Sequence, residues 1–275
     1  MAAMGVSIRQ VQKKYASAQH GEVLALSDCS IDIRPNEFFV LVGPSGCGKT
    51  TLLNVIAGFD TLTAGTVALG DRLISAPDVR LGPGPDRMVV FQHGGLFPWM
   101  TVLENVCYGP VVQGQMGQAE AREKARSMLA MVGLAGIERR YPGEVSSGMR
   151  RRVEIMRALI GRPQILLMDE PFRALDAITK AVVQDFLLRL FDTHPHTVFF
   201  ITHDLIEALF LGDRVGVMTT RPGRVKTVFD VDIPRPRSTR VLASEEFLRL
   251  KRDVTDAVHD EAIKAFEAGE REAAR

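Results

Sequence analysis

Short apolar runs without polar alternation divide the chain, and they predict the strands of a buried sheet. Four such runs occupy residues 38–42, 88–91, 165–168 and 198–201. Continuous apolar runs of this length are typical of strands buried on both faces, as in a parallel sheet covered by helices. Polar or glycine-rich residues follow each run at once, where open α/β sheets bind their ligands. The pattern therefore predicts an α/β fold with its chemistry at the carboxyl edge of the sheet.

Between the second and third runs, the apolar positions change to the spacing of a helix face. This spacing is clearest in residues 118–132, where Glu120 and Lys124 add an i,i+4 pair of opposite charge. We therefore expect a mainly helical subdomain over about residues 97–157. It would be inserted into an α/β domain that spans residues 1–240.

The two ends of the chain have different patterns. Residues 6–33 contain strand-like segments and predict an N-terminal antiparallel β layer. Residues 241–275 predict a C-terminal helix and tail, in which Ser244 caps the helix and Glu245 and Glu246 favour its first turn.

The composition is that of a soluble globular protein, with 46% hydrophobic and 24% charged residues. The 34 basic and 33 acidic residues leave a formal charge of +1, so no overall field favours nucleic acid or an anionic membrane. The three cysteines are widely spaced, which favours a reduced, cytosolic protein over a zinc or redox site. No stretch approaches the length of a transmembrane helix, and residues 1–10 do not resemble a signal peptide.

A glycine-rich segment follows the first apolar run and matches the phosphate-loop pattern G-x-x-x-x-G-K-[ST]. Glycines let backbone N–H groups converge on phosphate oxygens without Cβ clashes, and the N-terminus of the next helix adds partial positive charge. Lys49 would reach the β- and γ-phosphates, and the Thr50 hydroxyl would bind Mg²⁺. The residues expected to contact the nucleotide here are Gly43, Ser45, Gly46, Cys47, Gly48, Lys49, Thr50 and Thr51.

Two adjacent carboxylates, Asp169 and Glu170, follow the third apolar run. Asp169 would hold Mg²⁺, directly or through water. Because side chains alternate along an extended chain, Glu170 is expected to point elsewhere, where it could act as general base on an attacking water. Taken alone, the pair fits an ordinary strand end, but the phosphate loop upstream favours the catalytic interpretation.

With these motifs in place, the chain resembles the ATP-binding subunits of ABC transporters over nearly its whole length. The residues that carry the resemblance occur in the family's order: Tyr15, the phosphate loop, Gln92, Val145-Ser146-Ser147-Gly148-Met149, Asp169-Glu170, Ala174-Leu175-Asp176 and His203. The resemblance implies a P-loop NTPase domain with an N-terminal antiparallel β layer and a helical subdomain that carries the signature segment, residues 145–149. It also implies Mg²⁺-dependent hydrolysis of ATP.

Roles for single residues follow from the same resemblance. Tyr15 would stack on the adenine ring, although a lone tyrosine is more often a core or strand residue. Gln92 would sense Mg²⁺ and the γ-phosphate and couple them to the membrane subunit. His203, which ends the fourth apolar run, would contact the γ-phosphate as a switch residue.

The signature segment is expected to act on a second copy of the chain. Ser146 and Ser147 open a predicted helix, and a serine-capped helix N-terminus is a site for anions. In the family, this N-terminus closes on the γ-phosphate held by the partner subunit. The resemblance therefore implies nucleotide contacts from Ser146, Ser147 and Gly148, and Asp176 lies in the loop that crosses the dimer interface.

Several positions depart from the family's pattern. Ser147 stands where glycine is usual, so its Cβ would crowd the phosphate. Two consequences stay open: slow hydrolysis of ATP, or pairing with an asymmetric partner. Met149 replaces the usual glutamine, as in many importers. Asn36 replaces a glycine before the first apolar run, and asparagine tolerates positive φ. Arg173 replaces a small residue.

The segment 97–106 resembles importers, in particular the branch that handles nitrate, sulfonates, taurine and related small anions. Phe97 and Trp99 would form part of a docking groove for a permease helix, unless they are simply buried. The implied partners are a second copy of the chain, transmembrane permease subunits and, indirectly, a periplasmic solute-binding protein. The implied location is the cytoplasmic face of a bacterial inner membrane, where the chain would be peripheral.

Two other functions compete with the importer. A soluble ABC ATPase in DNA maintenance or translation would carry a coiled coil, zinc modules or a second cassette, and the sequence has none of these. A weakly hydrolysing regulatory ABC subunit is disfavoured by Lys49, Glu170 and His203, although Ser147 keeps it open. The run of arginines at 150–152 is interpreted as the outer face of the signature helix, and no nucleic-acid partner is expected.

Overall fold

The computed structural model of the chain describes residues 3–17 and 21–273. Over these residues, its strands are β1 (Val6–Ser17), β2 (Gly21–Ile33), β3 (Phe38–Val42), β4 (Ala64–Leu69), β5 (Arg72–Ala76), β6 (Val79–Arg80), β7 (Arg87–Val90), β8 (Ile165–Asp169), β9 (Thr197–Ile201), β10 (Arg214–Met218) and β11 (Val225–Asp230). Its helices are α1 (Lys49–Ala57), α2 (Val102–Val112), α3 (Gln118–Met131), α4 (Ser147–Leu159), α5 (Ala177–Thr193), α6 (Leu205–Leu211) and α7 (Glu245–Ala273). Short 3₁₀ turns occupy Pro142–Glu144 and Thr239–Ala243.

The strands form two sheets. The antiparallel sheet has the order β2-β1-β4-β5-β6, and the second sheet has the order β11-β10-β3-β9-β8-β7. In the second sheet, β10, β3, β9, β8 and β7 are parallel and β11 pairs antiparallel with β10. The four apolar runs thus form parallel strands, and the predicted α/β fold with its N-terminal antiparallel layer is confirmed.

Strand β3 shows why these runs do not alternate with polar residues. Phe38, Val40 and Val42 face the core beneath the helices, whereas Phe39 and Leu41 face the core shared with the antiparallel sheet and α1. All five side chains are fully buried. A strand covered on both faces needs apolar residues at every position, which is the pattern that the sequence carries.

The helical subdomain begins with a loop that is fixed by buried polar contacts. Thr101 and Glu104 form a capping box at the start of α2. The Asn105 amide accepts a hydrogen bond from the N–H of Phe97 at 2.7 Å and donates to the carbonyls of Phe97 and Met100 at 3.0 Å. These contacts order the segment that leads from the sheet into the helices.

The C-terminal helix packs against the α/β domain. Ser244 caps α7 as predicted, since its hydroxyl accepts a hydrogen bond from the N–H of Phe247 at 3.2 Å, and Phe247 is buried. Further along, the buried Glu261 accepts a hydrogen bond from the N–H of Thr220, just after β10. Residues 274–275 of the predicted tail lie outside the described residues. In the described part of the chain, no helix is both long and apolar enough to cross a bilayer.

Candidate nucleotide-binding site

The phosphate loop joins β3 to α1, as its sequence context predicts. Gly48 is the N-cap residue of α1 and has a φ of 100°. A Cβ there would lie 2.7 Å from Cδ2 of Leu26, so both the backbone conformation and the space require glycine. Ser45 and Gly46 are exposed at the crest of the loop. The crest of the loop is therefore accessible at the N-terminus of α1, which is an arrangement that suits phosphate.

Two side chains of the loop turn inward. The ammonium of Lys49 donates to the carbonyls of Gly43 at 2.8 Å and Pro44 at 2.9 Å, which ties the helix start to the loop. Cys47 is buried, and burial raises the pKa of its thiol. At Cys47 the backbone N–H, not the thiol, is the group that a nucleotide could contact. The Lys49 ammonium is held by two carbonyls of the loop itself, and a phosphate bound in the loop could replace them as its partner.

A turn after β10 supports the phosphate loop from behind. The N–H of Gly223 donates to the carbonyl of Ala25 at 2.9 Å, and the N–H of Ser27 donates to the carbonyl of Gly223 at 3.0 Å. A Cβ at Gly223 would lie 2.0 Å from the carbonyl oxygen of Cys47, so no other residue fits. This contact connects the end of the sheet directly to the loop.

The Thr50 hydroxyl donates to the Asp169 carboxylate, at 3.0 Å from Oδ2. Burial raises the pKa of Asp169, with a further contribution from the charge of Glu170, and the hydrogen bond from Thr50 opposes both. A bound divalent cation would favour the ionised form of this carboxylate. The hydroxyl and carboxylate oxygens are the donors that Mg²⁺ prefers, so these two residues fit a magnesium site beside the loop. The third residue predicted for this site, Gln92, lies two residues beyond the end of β7.

Glu170 turns away from Asp169, but alternation along the strand is not the reason. Its φ of 41° places it in the left-handed region, which costs a non-glycine residue about 1–3 kcal/mol and is typical of functional sites. Its N–H donates to the carbonyl of Ile201 at 2.9 Å, which holds the turn in place. Its carboxylate Oε2 lies 3.1 Å from Nδ1 of His203 and 3.2 Å from the Arg173 guanidinium.

A partly buried network lies behind His203, and no pattern in the sequence predicts it. The Lys180 ammonium, on α5, contacts Asp204 at 2.6 Å and Glu207 at 3.2 Å. Asp204 follows His203 and caps α6. Burial raises the pKa of Glu207, which is only 3% exposed. The network fixes the backbone next to His203, but a contact between residues so far apart in sequence leaves no local signal.

Tyr15 lies beside the first turn of α1. Its hydroxyl donates to Asp60 at 2.6 Å, and the Lys13 ammonium contacts the same carboxylate at 2.6 Å. Burial and the hydrogen bond to Asp60 raise the pKa of Tyr15, and the Thr51 side chain also contacts its hydroxyl. Tyr15 is 40% exposed and the Lys13 ammonium lies 4.7 Å from its ring centroid, so the side chain is partly accessible to a stacking partner next to the phosphate loop.

The signature segment forms a second group with Asp176. Ser146 is exposed and caps α4, and Ser147 is the first residue of that helix. Asp176 caps α5 by accepting a hydrogen bond from the N–H of Thr179 at 3.0 Å. A Cβ on Gly148 would lie 2.5 Å from Cγ2 of Thr179, so glycine allows the two helix starts to approach closely. The group thus presents two capped helix N-termini side by side.

The arginines at 150–152 are not an outer face of the signature helix, so that interpretation is wrong. Arg151 is only 5% exposed, because its guanidinium turns inward onto the segment after β7. Arg150 donates to the carbonyl of Val145 at 2.6 Å, and Arg152 donates to the carbonyl of Val132 at 2.7 Å. All three guanidinium groups donate hydrogen bonds to backbone carbonyls.

Comparisons with known proteins agree with this geometry. The model of the family described as ABC transporter matches residues 26–173. An uncharacterized ABC transporter ATP-binding protein of Methanocaldococcus jannaschii is 45% identical over 89% of this chain and 88% of its own. The bicarbonate transport ATP-binding protein CmpD of Synechocystis is 42% identical over 93% of this chain and 89% of its own.

Solved structures show the same fold. A bacterial ABC transporter cassette, MJ0796, solved as a dimer, has a TM-score of 0.70 and 30% identity over 83% of this chain and all of the cassette. A dimeric post-hydrolysis state of the same cassette, bound to ADP and Pi, has a TM-score of 0.68 with the same identity and coverage. The phosphate loop, the Thr50–Asp169 pair and these relatives lead to one conclusion: the chain belongs to the ABC transporter family, as an ATP-binding subunit with an ABC ATPase domain that uses ATP and Mg²⁺.

Proposed function

We propose that the chain is the energy-coupling ATPase of a bacterial importer for a small anion, and that two copies hold ATP between them. The observation that carries the proposal is the division of the site residues into two groups. Lys49, Thr50, Asp169, Glu170 and His203 lie at one edge of the sheet, which we call the phosphate-loop edge. The signature group is Ser146, Ser147, Gly148 and Asp176, and it lies at the exposed starts of α4 and α5.

At the phosphate-loop edge, each side chain would have a separate task. Lys49 would bind the β- and γ-phosphates, while Thr50, Asp169 and Gln92 would hold Mg²⁺, which neutralises phosphate charge. Glu170 would accept a proton from the attacking water. The neighbouring His203 would orient Glu170 and contact the γ-phosphate. Tyr15 would stack on the adenine ring.

The signature group would complete the site of a second copy. Two helix N-termini with unsatisfied N–H groups attract a phosphate carrying several negative charges. Ser146, Ser147 and Gly148 would therefore contact the γ-phosphate held by the partner copy, and Asp176 would cross the interface. ATP would join the copies, and hydrolysis followed by phosphate release would let them separate. The dimeric state of the solved relative supports this arrangement.

An aromatic groove in the helical subdomain supports docking to a permease. Trp99 is 69% exposed, and its ring centroid lies 5.5 Å from that of the partly buried Phe97. Tyr108 packs edge-on against Phe97 at 5.1 Å. A cavity of about 380 Å³ adjoins Trp99 and Tyr108. An exposed apolar groove of this kind suits a short amphipathic helix of a membrane subunit.

The named relatives support a small anion as the transported molecule. CmpD of Synechocystis and CmpD of Synechococcus elongatus, at 42% and 41% identity, are bicarbonate transport ATP-binding proteins. Similarity over about nine-tenths of both chains favours a transporter of the same broad class, with a small anion as its cargo. In that assembly, the chain would lie peripherally on the cytoplasmic face of the inner membrane, and a periplasmic solute-binding protein would deliver the anion.

The first experiment is to tag the chain in its native cells, solubilise the membranes gently and identify the co-purifying proteins by mass spectrometry. We expect a multi-spanning permease in the eluate. A matched variant, Trp99→Ala with Tyr108→Ala, should lose the permease while keeping ATP binding, because the groove lies outside the nucleotide site. Recovery of the wild-type chain without any membrane protein would contradict the importer function.

A further inference from the structure

We infer that Arg151 and Glu154 are positioning residues for Gln92, an inference that rests on the proposed role of Gln92 at the magnesium site. Arg151 lies on α4, the helix that begins with the signature segment. Its guanidinium donates to the carbonyl of Phe91 at 2.8 Å and to the carbonyl of Gln92 at 3.0 Å. Two directional bonds to consecutive carbonyls fix the backbone from which the Gln92 side chain projects.

Glu154 holds the other end of the same segment. It is 7% exposed, and its Oε2 accepts a hydrogen bond from Arg151 at 2.6 Å. Its Oε1 accepts a hydrogen bond from the N–H of Gly95 at 3.1 Å. A Cβ on Gly94 would lie 3.0 Å from that same oxygen, so the segment approaches Glu154 closely along its length. The ion pair thus contacts residues 91–95 at both ends.

Arg157 extends these contacts to the aromatic groove. It lies on the same helix, donates to the carbonyl of Gly95 at 2.6 Å and places its guanidinium 5.2 Å from the ring centroid of Phe97. Phe97 in turn contacts Trp99 and Tyr108. One face of α4 therefore contacts the chain at several points between the proposed magnesium site and the groove, from Phe91 to Phe97.

The charges of the buried Arg151 and Glu154 side chains indicate what these residues do. A buried ion pair is weak evidence for stability, because well-packed apolar residues often stabilise a core equally well. Apolar residues, however, make no directional bonds to carbonyl and N–H groups. Arg151 and Glu154 are therefore better explained by the position that they impose on residues 91–95. A movement of the signature segment at the start of α4 would carry Gln92 with it.

The test uses the full-length chain and measures ATP hydrolysis as the concentration of Mg²⁺ is varied. Arg151→Met keeps much of the side-chain volume but loses both carbonyl contacts. We expect the half-saturating Mg²⁺ concentration to rise about tenfold, as for other residues that orient a metal ligand. Affinity for ATP, measured in EDTA with a fluorescent ATP analogue, should stay within about twofold, because Lys49 and the phosphate loop are untouched.

Amide hydrogen exchange gives an independent measurement. In Arg151→Met, exchange should become faster in residues 91–97 and stay unchanged in β8, which also borders the magnesium site. The matched control is Arg152→Met, because Arg152 lies on the same helix but donates to the carbonyl of Val132. It should alter neither the Mg²⁺ dependence nor the exchange of residues 91–97.

Two further variants cover the case in which Arg151→Met does not fold and test the role of Gln92 by itself. If the unpaired Glu154 unfolds the single variant, the double variant Arg151→Met with Glu154→Gln removes the buried charge, and the same tenfold rise is expected. Gln92→Ala tests the underlying role separately. If the half-saturating Mg²⁺ concentration rises in Gln92→Ala but not in a folded Arg151 variant, the inference about Arg151 and Glu154 is wrong and the role of Gln92 stands. If this concentration does not rise in Gln92→Ala, both the role of Gln92 and the inference are wrong.

Discussion

The phosphate-loop edge and the signature group are built in opposite ways. At the phosphate-loop edge, the functional side chains already contact one another: Thr50 meets Asp169, and Glu170 meets His203. In the signature group, Ser146 and Asp176 bond to the first turns of their own helices, and both lie at the surface. One region is assembled within a single chain, whereas the other presents helix starts outward.

This difference indicates that the phosphate-loop edge and the signature group have different tasks. Side chains at the ends of parallel strands and at the start of the following helix are held rigidly, so they can be arranged for chemistry before any partner arrives. Exposed helix N-termini have N–H groups to offer and gain most from an anion that a second molecule supplies. Lys180 connects the two regions, since it lies on the helix that Asp176 caps and contacts Asp204 beside His203.

The largest expected effect comes from removing the proposed base at the phosphate-loop edge. Glu170→Gln keeps the shape of the side chain but cannot accept a proton, so we expect ATP hydrolysis to fall about 10³-fold. ATP binding should persist, and size-exclusion chromatography with ATP should show a trapped dimer. Glu123→Gln, an exposed change on α3, is the control and should have no effect. Unchanged hydrolysis in Glu170→Gln would exclude Glu170 as the base.

The close approach inside the signature group provides the second test. Gly148→Ala should lower the free energy of unfolding by about 2 kcal/mol, because the added Cβ would overlap the Thr179 methyl group. Combining it with Thr179→Ser removes that methyl and should restore most of the loss. Thermal and urea unfolding would measure both variants. If the second substitution rescues nothing, the contact between the two helix starts is not the cause.

Removing Lys180, which connects the two regions, should have a smaller effect on the free energy of unfolding, and this effect should depend on pH. Burial raises the pKa of Glu207 although Lys180 opposes the shift, so its stabilising contribution is largest at low pH and is lost as pH rises through that pKa. Lys180→Met should therefore lower the free energy of unfolding by about 2 kcal/mol at about pH 7.5. The loss should shrink near about pH 4.5, where Glu207 is protonated.

Urea unfolding of Lys180→Met at the two pH values would measure this dependence, with Lys180→Arg as the variant that keeps the charge. The pKa of Asp204 shifts the other way: burial alone would raise it, but the hydrogen bond from Lys180 lowers it. Stability from that pair is therefore lost only as pH falls below the ordinary aspartate pKa of about 3.9, so the pair stays intact at both pH values and the trend comes from Glu207. A loss that is equal at both pH values would exclude the contact with Glu207 as the source of the effect.

The smallest effect is expected at Arg173. Its guanidinium contacts Glu170 at 3.2 Å but is more than half exposed, and exposed ion pairs contribute little. Arg173→Ala should free the Glu170 carboxylate from this contact and raise the rate of ATP hydrolysis about threefold. A threefold change corresponds to less than about 1 kcal/mol, which is the energy expected of an exposed ion pair. Arg173→Lys should give an intermediate rate. A lower rate in Arg173→Ala would mean that the guanidinium assists the reaction.

Most of the parallel sheet could be predicted from the sequence, because strands covered on both faces require unbroken apolar runs. Strands β4, β5 and β6 escaped prediction, since short half-buried strands leave weaker patterns. The capping box of Thr101 and Glu104 was missed although its T-x-x-E spacing was readable. The positive φ tolerated by Asn36 is confirmed at 59°.

The phosphate loop was predictable because its chemistry is local to a few consecutive residues. The contacts of Lys180 and Arg151 were not, because they join positions far apart in the chain. The arginine run at 150–152 shows the difference well. A run of charges usually indicates a solvated surface, but three nearby backbone carbonyls, at Phe91, Val132 and Val145, accept hydrogen bonds from these residues instead. That information exists only once the subdomain has folded.

The order of strands in the parallel sheet has a consequence for folding during synthesis. Strand β3, which leads into the phosphate loop, is hydrogen-bonded on one side to β9 and on the other to β10. It ends at Val42, whereas β9 begins only at Thr197 and β10 at Arg214. A ribosome must therefore release most of the polypeptide before this apolar strand gains either neighbour. Until then, the segment is exposed to aggregation, and the nascent chain depends on slow, long-range pairing or on chaperones to protect it.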